Sequence, residues 1–568
     1  MKKLAKQGFY LLLLSLIMLT GCKPVAVTQE TKTPDATTVP TKAESDAPLE
    51  DEEIGDIQAP LGWWNDIVFY EIFVRSFKDS DGDGVGDFQG VIEMLDYLND
   101  CDPNTQDDLG IGGIWFMPIN PSPSYHGYDV TDYYVINPDY GSMEDFKELL
   151  VEAHKRGIKV IIDLVINHTS TEHPWFQFAQ DPTSEYHDWY VWSETKPNMM
   201  GPWGQGVWHH NQNGLYYYGI FWGGMPDLNY ENPAVSEEML KISKYWLEEV
   251  GIDGFRVDAA RYLFADEYSQ QDTSETIEWF QTWRPYYKDI NPEAFTVGEV
   301  WTDLQVIAKY GSGRGLDSLF MFDLAEDIKN SIYAADSSRI IKSYLDVLEY
   351  FPDFQFSSFL SNHDQQRVMS FYQGNVDKAK MAAFIYLTGP GVPFVYYGEE
   401  IGMTGNKPDE NLRTVMQWNA EPFAGFSTMS PWRAVNAGYE EVNVNLQSED
   451  PESILNLYRK LIAIRNAHLT LQTGAYLPFT SSCRLAYPVL RVGEDEILII
   501  LANLGRIALE DCTLSIEESP LQGEYKVEYL YGDGALSPLT FNENGALNEY
   551  LIEDSIEGGE ALILRLQR

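Results

Sequence analysis

Three carboxylates stand at the ends of short apolar runs in this sequence and could act together on one substrate. They are Asp258, Glu299 and Asp364. Two carboxyl groups at close range can cleave a glycosidic bond with retention, because one attacks the anomeric carbon and the other protonates the leaving oxygen. A further carboxylate can orient hydroxyl groups and stabilise the positive charge of the transition state. The spacing alone does not assign these roles.

Eight apolar runs alternate with helical stretches, which is the pattern of repeated βα units. Eight such units predict a (β/α)8 barrel, whose active site lies at the carboxyl ends of the strands. Several of the runs end in polar residues, so the three carboxylates are expected to converge at this face. The runs predict strands at 68–73, 113–117, 159–165, 254–258, 295–299, 318–323, 357–361 and 393–397.

Two helices between these strands are clear from the pattern. In residues 144–156 the apolar side chains fall on one face, and Gly157 can end the helix. Ser142 and Asp145 have the spacing of a capping box at its start. Residues 236–250 predict a second amphipathic helix with its own buried stripe.

Two regions depart from the βα pattern. A segment rich in Trp, Tyr, His, Asn and Gly follows the third strand, and a loop of such length usually carries function or forms a subdomain. Short alternating runs near the C-terminus predict an all-β domain. The predicted fold class is therefore α/β, a TIM barrel with a small inserted domain after strand 3 and a C-terminal β-sandwich. The predicted boundaries are 1–22 for a signal peptide, 23–60 for a disordered tether, 61–168 and 230–475 for the barrel, 169–229 for the insertion and 476–568 for the sandwich.

Four segments resemble the conserved regions of the α-amylase family of glycoside hydrolases, and they occur in the family's order. Two more segments, MPDLN at 225–229 and GVPFVYYGEE at 391–400, are similar to further regions of that family. The resemblance extends from Trp63 to the end of the chain. The four segments are DLVINH at 163–168, GFRVDA at 254–259, VGEVW at 297–301 and FLSNHD at 359–364.

The resemblance implies a role for each matching catalytic residue. Asp258 matches the nucleophile, Glu299 the general acid/base and Asp364 the third carboxylate, which orients the substrate. Arg256 matches the arginine beside the nucleophile. A cation at that distance is expected to lower the pKa of Asp258 and to keep its carboxylate ionised.

The same resemblance implies a set of substrate-binding side chains. His168 and His363 match two histidines that bond sugar hydroxyls at the cleaved residue. Tyr128 matches the aromatic residue that stacks on that sugar. Arg261 and Arg367 are expected to contact the substrate as well.

Three further positions bear on specificity within the family. The small residue Ala259 resembles α-1,4-acting amylases more than α-1,6 specialists. Tyr125 and His126 stand where small exo-acting oligosaccharidases carry an acidic residue, which favours internal cleavage of chains. The segment at 225–229 resembles a form intermediate between the oligo-1,6-glucosidase and neopullulanase branches. We therefore expect retaining endo-hydrolysis of α-1,4 bonds in starch, maltodextrins and related α-glucans.

Two alternatives stay open at this point. One is a neopullulanase-like or cyclodextrin-degrading hydrolase, or a transglycosylase, because branch-specific loops decide between them. The other comes from a different class, a non-catalytic glucan-binding lipoprotein on the same scaffold. The presence of all three carboxylates and both histidines argues against the second alternative.

A run of alternating aspartates at 79–87 predicts a Ca²⁺ site. Hard oxygen ligands at alternate positions suit this ion, but the twelfth position is Gly90 rather than glutamate, so the loop is not an EF-hand. It resembles the calcium loop that many family members carry after the first strand, which implies a structural ion. A solvated acidic turn is the alternative. The expected ligands are the side chains of Asp79, Asp81, Asp83 and Asp87 and the carbonyl of Val85.

The first residues predict export and a lipid anchor. Lys2, Lys3 and Lys6 precede an apolar run at 11–19 that is too short for a confident membrane span. The run ends in LTGC, which resembles the bacterial lipobox, so Cys22 is expected to become the lipidated N-terminus. Acyl chains would then hold the protein to the extracytoplasmic side of the cell membrane.

The charge of the chain restricts its partners. The formal net charge of −48 argues against nucleic acid and against anionic membrane surfaces, and it fits a neutral substrate such as an α-glucan.

The few cysteines do not form a disulfide framework. Cys483 and Cys512 could pair within the C-terminal domain, and the sequence leaves this open.

Overall fold

The predicted barrel is confirmed by eight parallel strands that pair in one sheet. The computed structural model describes residues 61–568 except 103, 104, 106, 266–268, 312, 553 and 554, so the predicted signal peptide, tether and Cys22 lie outside the described residues. The strands are β1 (Phe69–Ile72), β2 (Gly113–Phe116), β3 (Lys159–Val165), β4 (Gly254–Asp258), β5 (Phe295–Gly298), β6 (Ser318–Leu319), β7 (Ser357–Ser358) and β8 (Val392–Tyr396). Their order in the sheet is β7-β8-β1-β2-β3-β4-β5-β6. A parallel bridge between Phe320 and Ser357 brings the two edges of the sheet together.

Aromatic rings fill the interior of the barrel. Phe69 on β1 stacks on Phe394 of β8 with ring centroids 4.5 Å apart, and on Phe295 of β5 at 5.3 Å. Trp115 of β2 and Phe320 beside β6 pack against this group, and all five side chains are buried. Large rings at inward-facing positions make this interior a packed core rather than a pore, so substrate has access only at the strand ends.

The helices that surround the barrel begin close to where the sequence predicts. The helix Met143–Lys155 has the expected capping box between Ser142 and Asp145. The second predicted helix begins at Pro233, three residues earlier than expected, because Asn232 caps it and proline suits the first helical position. Its last turn, Tyr245–Val250, is π-helical.

The α-helices connect the strands in the alternating order that the barrel requires. Among the described residues, no helix is both long enough and apolar enough to cross a bilayer. The helices are Val74–Phe77, Phe88–Glu93, Leu95–Leu98, Met143–Lys155, Pro174–Ala179, Pro233–Lys244, Ser274–Ile290, Leu304–Tyr310, Phe322–Ala334, Ser337–Tyr350, Val368–Phe371, Val376–Thr388, Val444–Glu449, Ile454–Ala467 and Leu469–Thr473.

Strands β6 and β7 are shorter than the sequence predicts. The apolar run predicts the sixth strand over 318–323, but the strand ends at Leu319, and a helix begins at Phe322. The seventh strand ends at Ser358 rather than at 361. Phe320 forms only an isolated bridge, and Phe322 and Phe359, which follow these strands, are buried in the barrel interior instead of extending the ladder.

The segment inserted after β3 forms a small sheet of its own. Its strands Trp192–Ser193, Trp208–His210 and Tyr216–Tyr218 are antiparallel, with Tyr216–Tyr218 in the centre. An isolated bridge between His168 and Asp227 ties the two ends of the insertion together at the end of β3. The insertion therefore lies beside the carboxyl ends of the barrel strands.

The C-terminal region consists of two antiparallel sheets around a separate apolar core. The structure joins Cys483 and Cys512 in a disulfide, with their Cα atoms 5.5 Å apart, and so resolves the pairing that the sequence left open. The six-stranded sheet has the order Ala475–Pro478, Ala486–Val492, Ile497–Asn503, Ala561–Gln567, Gly523–Tyr531 and Leu539–Phe541, and the three-stranded sheet the order Thr480–Ser481, Thr513–Ile516 and Leu547–Leu551.

Candidate active site

One buried arginine, Arg256, donates hydrogen bonds to carboxylates from three neighbouring strands. Arg256 on β4 is 2% exposed, and its Nη1 donates to Asp163 Oδ1 of β3 at 2.9 Å and to Asp258 Oδ1 at 2.7 Å. Its Nη2 donates to Glu299 Oε2 at 2.6 Å, and Glu299 follows β5 directly. The two carboxylates predicted to do the chemistry are thus held on the two terminal nitrogens of a single guanidinium.

The charge balance around Asp258 differs from the expectation. Burial raises the pKa of Asp258 well above its usual range, Arg256 opposes this rise, and Glu299 and Asp163 add to it. Burial likewise raises the pKa of Asp163 to about 6, although Arg256 lowers it. Arg256 thus lowers the pKa of Asp258 as predicted, but it does not keep that pKa low in the free site, because burial outweighs a cation that three carboxylates share.

The ring of His363 lies between two carboxylates. Its Nδ1 is 2.6 Å from Glu71 Oε1 on β1, and its Nε2 is 3.2 Å from Asp364 Oδ2. Burial would lower the pKa of His363, but Asp364 and Glu71 raise it to about 9. Burial would raise the pKa of Asp364, but His363 and Arg413 hold it well below its usual range. At neutral pH the pair is therefore an imidazolium beside a carboxylate.

Tyr128 and His168 lie where the sequence predicts a sugar-binding subsite. Tyr128 Oη is 2.7 Å from His363 Nε2 and donates to Asp163 Oδ2 at 3.0 Å. His168 Nε2 is 3.1 Å from the carbonyl oxygen of Tyr128. Burial lowers the pKa of His168 to about 4, so this ring is neutral. Both residues, together with Arg261, line the same cavity as the carboxylates.

Arg367 does not reach this cavity, and Arg413 takes the place that was expected for it. Arg367 is 1% exposed, and its guanidinium donates to the carbonyl oxygens of Leu412 and Tyr397 at 2.8 and 2.7 Å. Arg413, in the loop after β8, lines the cavity and donates to Asp364 Oδ1 at 2.7 Å. The expectation that Arg367 contacts substrate is wrong because its side chain points beneath the site, into backbone carbonyls.

The cavity at the strand ends has a volume of about 420 Å³. It opens between the barrel and the insertion, and three of its tryptophans, Trp203, Trp222 and Trp301, are each more than half exposed. Besides six of the predicted residues, the lining includes His126, Trp203, Phe221, Trp222, Met225, Tyr262, Trp301, Asp409 and Arg413.

Several of the site residues were not singled out from the sequence. Asp163 and Glu71 are carboxylates inside apolar strand runs, and such a buried charge is a signal that could have identified both. Trp203 and Trp222 belong to the aromatic-rich insertion, which was expected to carry function or to form a subdomain. Arg413 lies in a loop without a recognisable pattern, so its sequence context carries no signal.

The acidic loop at 79–87 brings together three of the four predicted aspartates. Carboxylate oxygens of Asp79, Asp81 and Asp87 lie within 4.8 Å of one another. Asp79 is 4% exposed, and backbone amides of Gly82 and Gly84 donate to it at 2.7 and 2.8 Å. This set of hard oxygen donors fits Ca²⁺.

Asp83 lies outside this group of oxygens. Its Oδ1 accepts a hydrogen bond from the amide of Val85 at 2.8 Å. Asp81 Oδ1 likewise accepts a hydrogen bond from the amide of Asp83 at 3.1 Å, so this capping excludes neither side chain, and Asp83 stays a predicted ligand.

Comparison with known proteins identifies the family. The family model described as the catalytic domain of alpha amylase matches residues 71–474, well over half of the chain. The chain belongs to the α-amylase family of glycoside hydrolases. It is 44% identical over 452 residues to Alpha-amylase 3 of Dictyoglomus thermophilum, an alignment that covers 78% of this chain and 86% of that protein.

Two further relatives show the breadth of this family. The chain is 36% identical over 397 residues to a 4-alpha-glucanotransferase of Thermotoga maritima, with 69% of this chain and 85% of that protein covered. The crystal structure of alpha-amylase from H. orenii matches with a TM-score of 0.77 at 39% identity, covering 88% of this chain and 99% of that one. The family and fold predicted from the motifs are thereby confirmed, and the chain is a glycoside hydrolase.

Proposed function

We propose that this enzyme hydrolyses α-1,4-glucosidic bonds within starch, maltodextrins and related α-glucans, with retention of configuration. One observation carries the proposal. Asp258 and Glu299 accept hydrogen bonds from neighbouring nitrogens of the Arg256 guanidinium, at 2.7 and 2.6 Å, and both line the open cavity. Such close carboxyl groups suit a double displacement rather than a single attack by water.

In this mechanism the two carboxyl groups exchange tasks between two steps. Asp258 attacks the anomeric carbon while Glu299 gives its proton to the leaving glycosidic oxygen, and a covalent glycosyl-enzyme forms. Glu299 then takes a proton from water, which attacks the same carbon and releases Asp258. Asp364 orients the sugar hydroxyls.

The shared guanidinium couples these two steps. In the free site, the charges of Glu299 and Asp163 add to the effect of burial on Asp258. When Glu299 carries the proton that its acid role requires, one of the competing negative charges is gone. Arg256 then acts mainly on Asp258 and Asp163, which favours the ionised nucleophile.

The aromatic walls of the cavity support binding of a chain rather than of a single sugar. Trp301 stacks on Phe322 with ring centroids 4.7 Å apart, which leaves its other face to the cavity. On the side of the insertion, Trp203 packs against Phe221 at 5.7 Å and against Tyr262 at 5.9 Å. Rigid, half-exposed rings on both sides offer stacking surfaces to successive glucose units, and His126 leaves the cavity without an acid at that position to hold a chain end.

One alternative has a specific observation behind it. A 4-alpha-glucanotransferase is among the relatives that align over most of their length. In a transferase the second step uses a sugar hydroxyl in place of water, and the same aromatic walls would hold that acceptor. A neopullulanase-like or cyclodextrin-degrading enzyme is a variant of this alternative. The non-catalytic glucan-binding protein is disfavoured, because the paired carboxylates and their arginine are all in place.

We also propose a structural Ca²⁺ in the loop at 79–87 and a lipid anchor at Cys22. Asp79, Asp81 and Asp87 would bind the ion, and the carbonyl of Val85 stays a predicted ligand. The ion would neutralise a concentration of negative charge and fix the loop that follows β1.

The lipobox-like LTGC motif supports export and attachment at the extracytoplasmic side of the membrane.

The experiment that tests the proposed activity follows viscosity and new reducing ends together on soluble starch. The wild type should lower viscosity quickly while it produces few ends, and Asp258→Asn should lose about 10⁴-fold or more of the rate. Asp96→Asn, which changes an exposed carboxylate far from the cavity, is the matched control. Many ends with slow loss of viscosity would indicate exo action, and longer products without new ends would indicate a transferase.

A further inference from the structure

We propose that Glu71 is a positioning residue of this site, which holds His363 as an imidazolium and so makes its Nε2–H a permanent donor towards Asp364 and Tyr128, two residues that line the cleft. Glu71 lies on β1, one residue before the strand ends, and is 2% exposed. Its Oε1 is 2.6 Å from Nδ1 of His363, whose ring is completely buried. The inference rests on the proposed function, because it concerns the cleft in which the glucan binds.

The groups around His363 come from every element that packs against it. Asp364 in its own loop is 3.2 Å from Nε2, and Tyr128 from the loop after β2 is 2.7 Å from the same atom. Arg413 donates to the backbone carbonyl of His363 at 3.0 Å, and Trp115 of β2 meets the ring edge-on. Asp163 on β3 and Arg256 on β4 lie behind Tyr128, to which Arg256 Nη1 donates at 3.4 Å.

The charges among these groups favour the doubly protonated ring. Each ring nitrogen faces a carboxylate directly, whereas the two arginines act on the backbone of His363 or through Tyr128. Burial raises the pKa of Tyr128 well above its usual range, so the phenol does not titrate in competition with the imidazole. Asp364 and Glu71 together raise the pKa of His363 to about 9, although burial opposes them.

The chemistry of imidazole shows why a carboxylate at position 71 matters. A neutral ring has one N–H, and with that proton on Nδ1 facing Glu71, Nε2 would be a lone pair pointing at Asp364. It could then not donate to Asp364, the third carboxylate. The imidazolium donates at both nitrogens. Glutamine at position 71 would still accept from Nδ1 and keep the ring in place, so Glu71→Gln removes the charge and little else.

The expected effect is a change in pH dependence rather than a general loss of activity. With Glu71→Gln, the basic limb of kcat/KM on soluble starch should move towards acid by about 1 to 3 pH units, the range that one nearby charge produces. Glu496→Gln is the matched control, because Glu496 pairs with His468 at 2.9 Å in a part of the molecule remote from the cleft. That control should leave the limb where it is. In the His363→Gln background, adding Glu71→Gln should move the limb no further.

A titration that needs no turnover provides the second measurement. The ring nitrogens of ¹⁵N-histidine-labelled wild-type protein should show one imidazolium that persists above pH 8, identified by its absence in His363→Gln. In Glu71→Gln the same signal should titrate at least one unit lower, while Tm records that the variant is folded. If Glu71→Gln does not fold, the titration of the wild-type protein still tests whether His363 is charged at neutral pH.

Two results would overturn the inference. One is a wild-type His363 that is neutral at pH 7, and the other is an active enzyme whose basic limb is the same in wild type and Glu71→Gln. In the second case the proposed function stands and only the role of Glu71 falls. A wild type that is inactive on starch would instead contradict the proposed function, and the histidine titration would still test the charge on His363.

Discussion

Two arginines form ion pairs with the carboxylates in the cleft, each with a different set. Arg256 serves Asp258, Glu299 and Asp163, whereas Arg413 serves Asp364. Because His363 and Arg413 both lower the pKa of Asp364, this carboxylate stays ionised while the other three share one cation. Arg413 therefore helps His363 to keep the third carboxylate in the state that binds hydroxyl groups.

Replacing Arg413 by glutamine should lower kcat/KM on starch by about 10- to 100-fold. The reason is the loss of a partly buried hydrogen bond to a charged group, and such a bond is worth about 1.5 to 3 kcal/mol. Rates should be measured at a temperature where the variant is folded.

Arg367→Gln is the informative comparison, since Arg367 bonds to the carbonyl oxygens of Leu412 and Tyr397 instead of facing the cavity. Its loss should lower Tm by removing these buried hydrogen bonds, with a smaller effect on kcat/KM. A variant Arg413→Gln with full activity would show that Asp364 needs no arginine.

At the scale of elements, the site is assembled from strand ends and from the loops that follow them. Glu71 lies on β1, Asp163 on β3 and Asp258 on β4, and Glu299 directly follows β5. These four residues share one face of the barrel. The loop after β1 continues directly into the acidic turn at 79–87 and then into the helix Phe88–Glu93, whose first turn Asp87 caps. A well-ordered acidic turn therefore helps to hold β1, the strand that carries Glu71, in place.

Calcium should stabilise the enzyme through this acidic loop without taking part in the reaction. At a free Ca²⁺ concentration of a hundred times Kd, binding to the folded state alone is worth about 2.7 kcal/mol. Tm should fall when the ion is chelated and should recover when Ca²⁺, but not Mg²⁺, is added back. The measurement is Tm with and without chelator, together with kcat at a temperature where both forms are folded.

Asp79→Asn should abolish this response, whereas Asp96→Asn, on a neighbouring helix, should retain it. Equal Tm values with and without Ca²⁺ in the wild type would mean that the loop is a solvated acidic turn. A loss of kcat in the folded, calcium-free enzyme would contradict a purely structural role.

At the scale of the whole molecule, one buried arginine joins the barrel to the C-terminal sheets. Arg491, on the strand Ala486–Val492, donates to the carbonyl oxygens of Thr388 and Gly474 at 2.7 and 3.0 Å. Arg465, on the helix Ile454–Ala467, bonds to the same barrel helix end by donating to the carbonyl oxygen of Leu387 at 2.9 Å. Burial lowers the pKa of Arg491 to about 10 and that of Arg465 to about 9. The two regions are thus held together through backbone groups at the end of one barrel helix.

The anchor at Cys22 should determine where the enzyme is found and leave its chemistry unchanged. In a bacterial host the wild type should incorporate labelled palmitate and sediment with membranes. Cys22→Ser should lose the label and appear in soluble fractions, with the same kcat/KM on starch, because Cys22 is not among the residues that line the cavity. Cys101→Ser is the matched control and should remain with the membranes. Equal labelling of Cys22→Ser and wild type would contradict the anchor.

The barrel, the family and the three carboxylates at the strand ends follow from the amino-acid sequence alone. These features depend on local patterns, namely apolar runs of strand length, helical periodicity and motifs that lie at a strand end or, for Asp364, in the loop that follows β7. Side chains at the carboxyl ends of parallel strands meet whatever the connecting loops do. The positions of Asp258, Glu299 and Asp364 along the chain are therefore enough to place them at one site.

The compensation of charges, by contrast, is a property of the tertiary structure. Whether Arg367 or Arg413 faces Asp364 depends on the path of the loop after β8, and no periodicity encodes that path. The pairing of Glu71 with His363 joins residues 292 positions apart, and the disulfide of Cys483 with Cys512 depends on how two sheets pack. The state of Asp258 depends on burial and on the sum of several charges, and these quantities exist only once the strands have closed into a barrel.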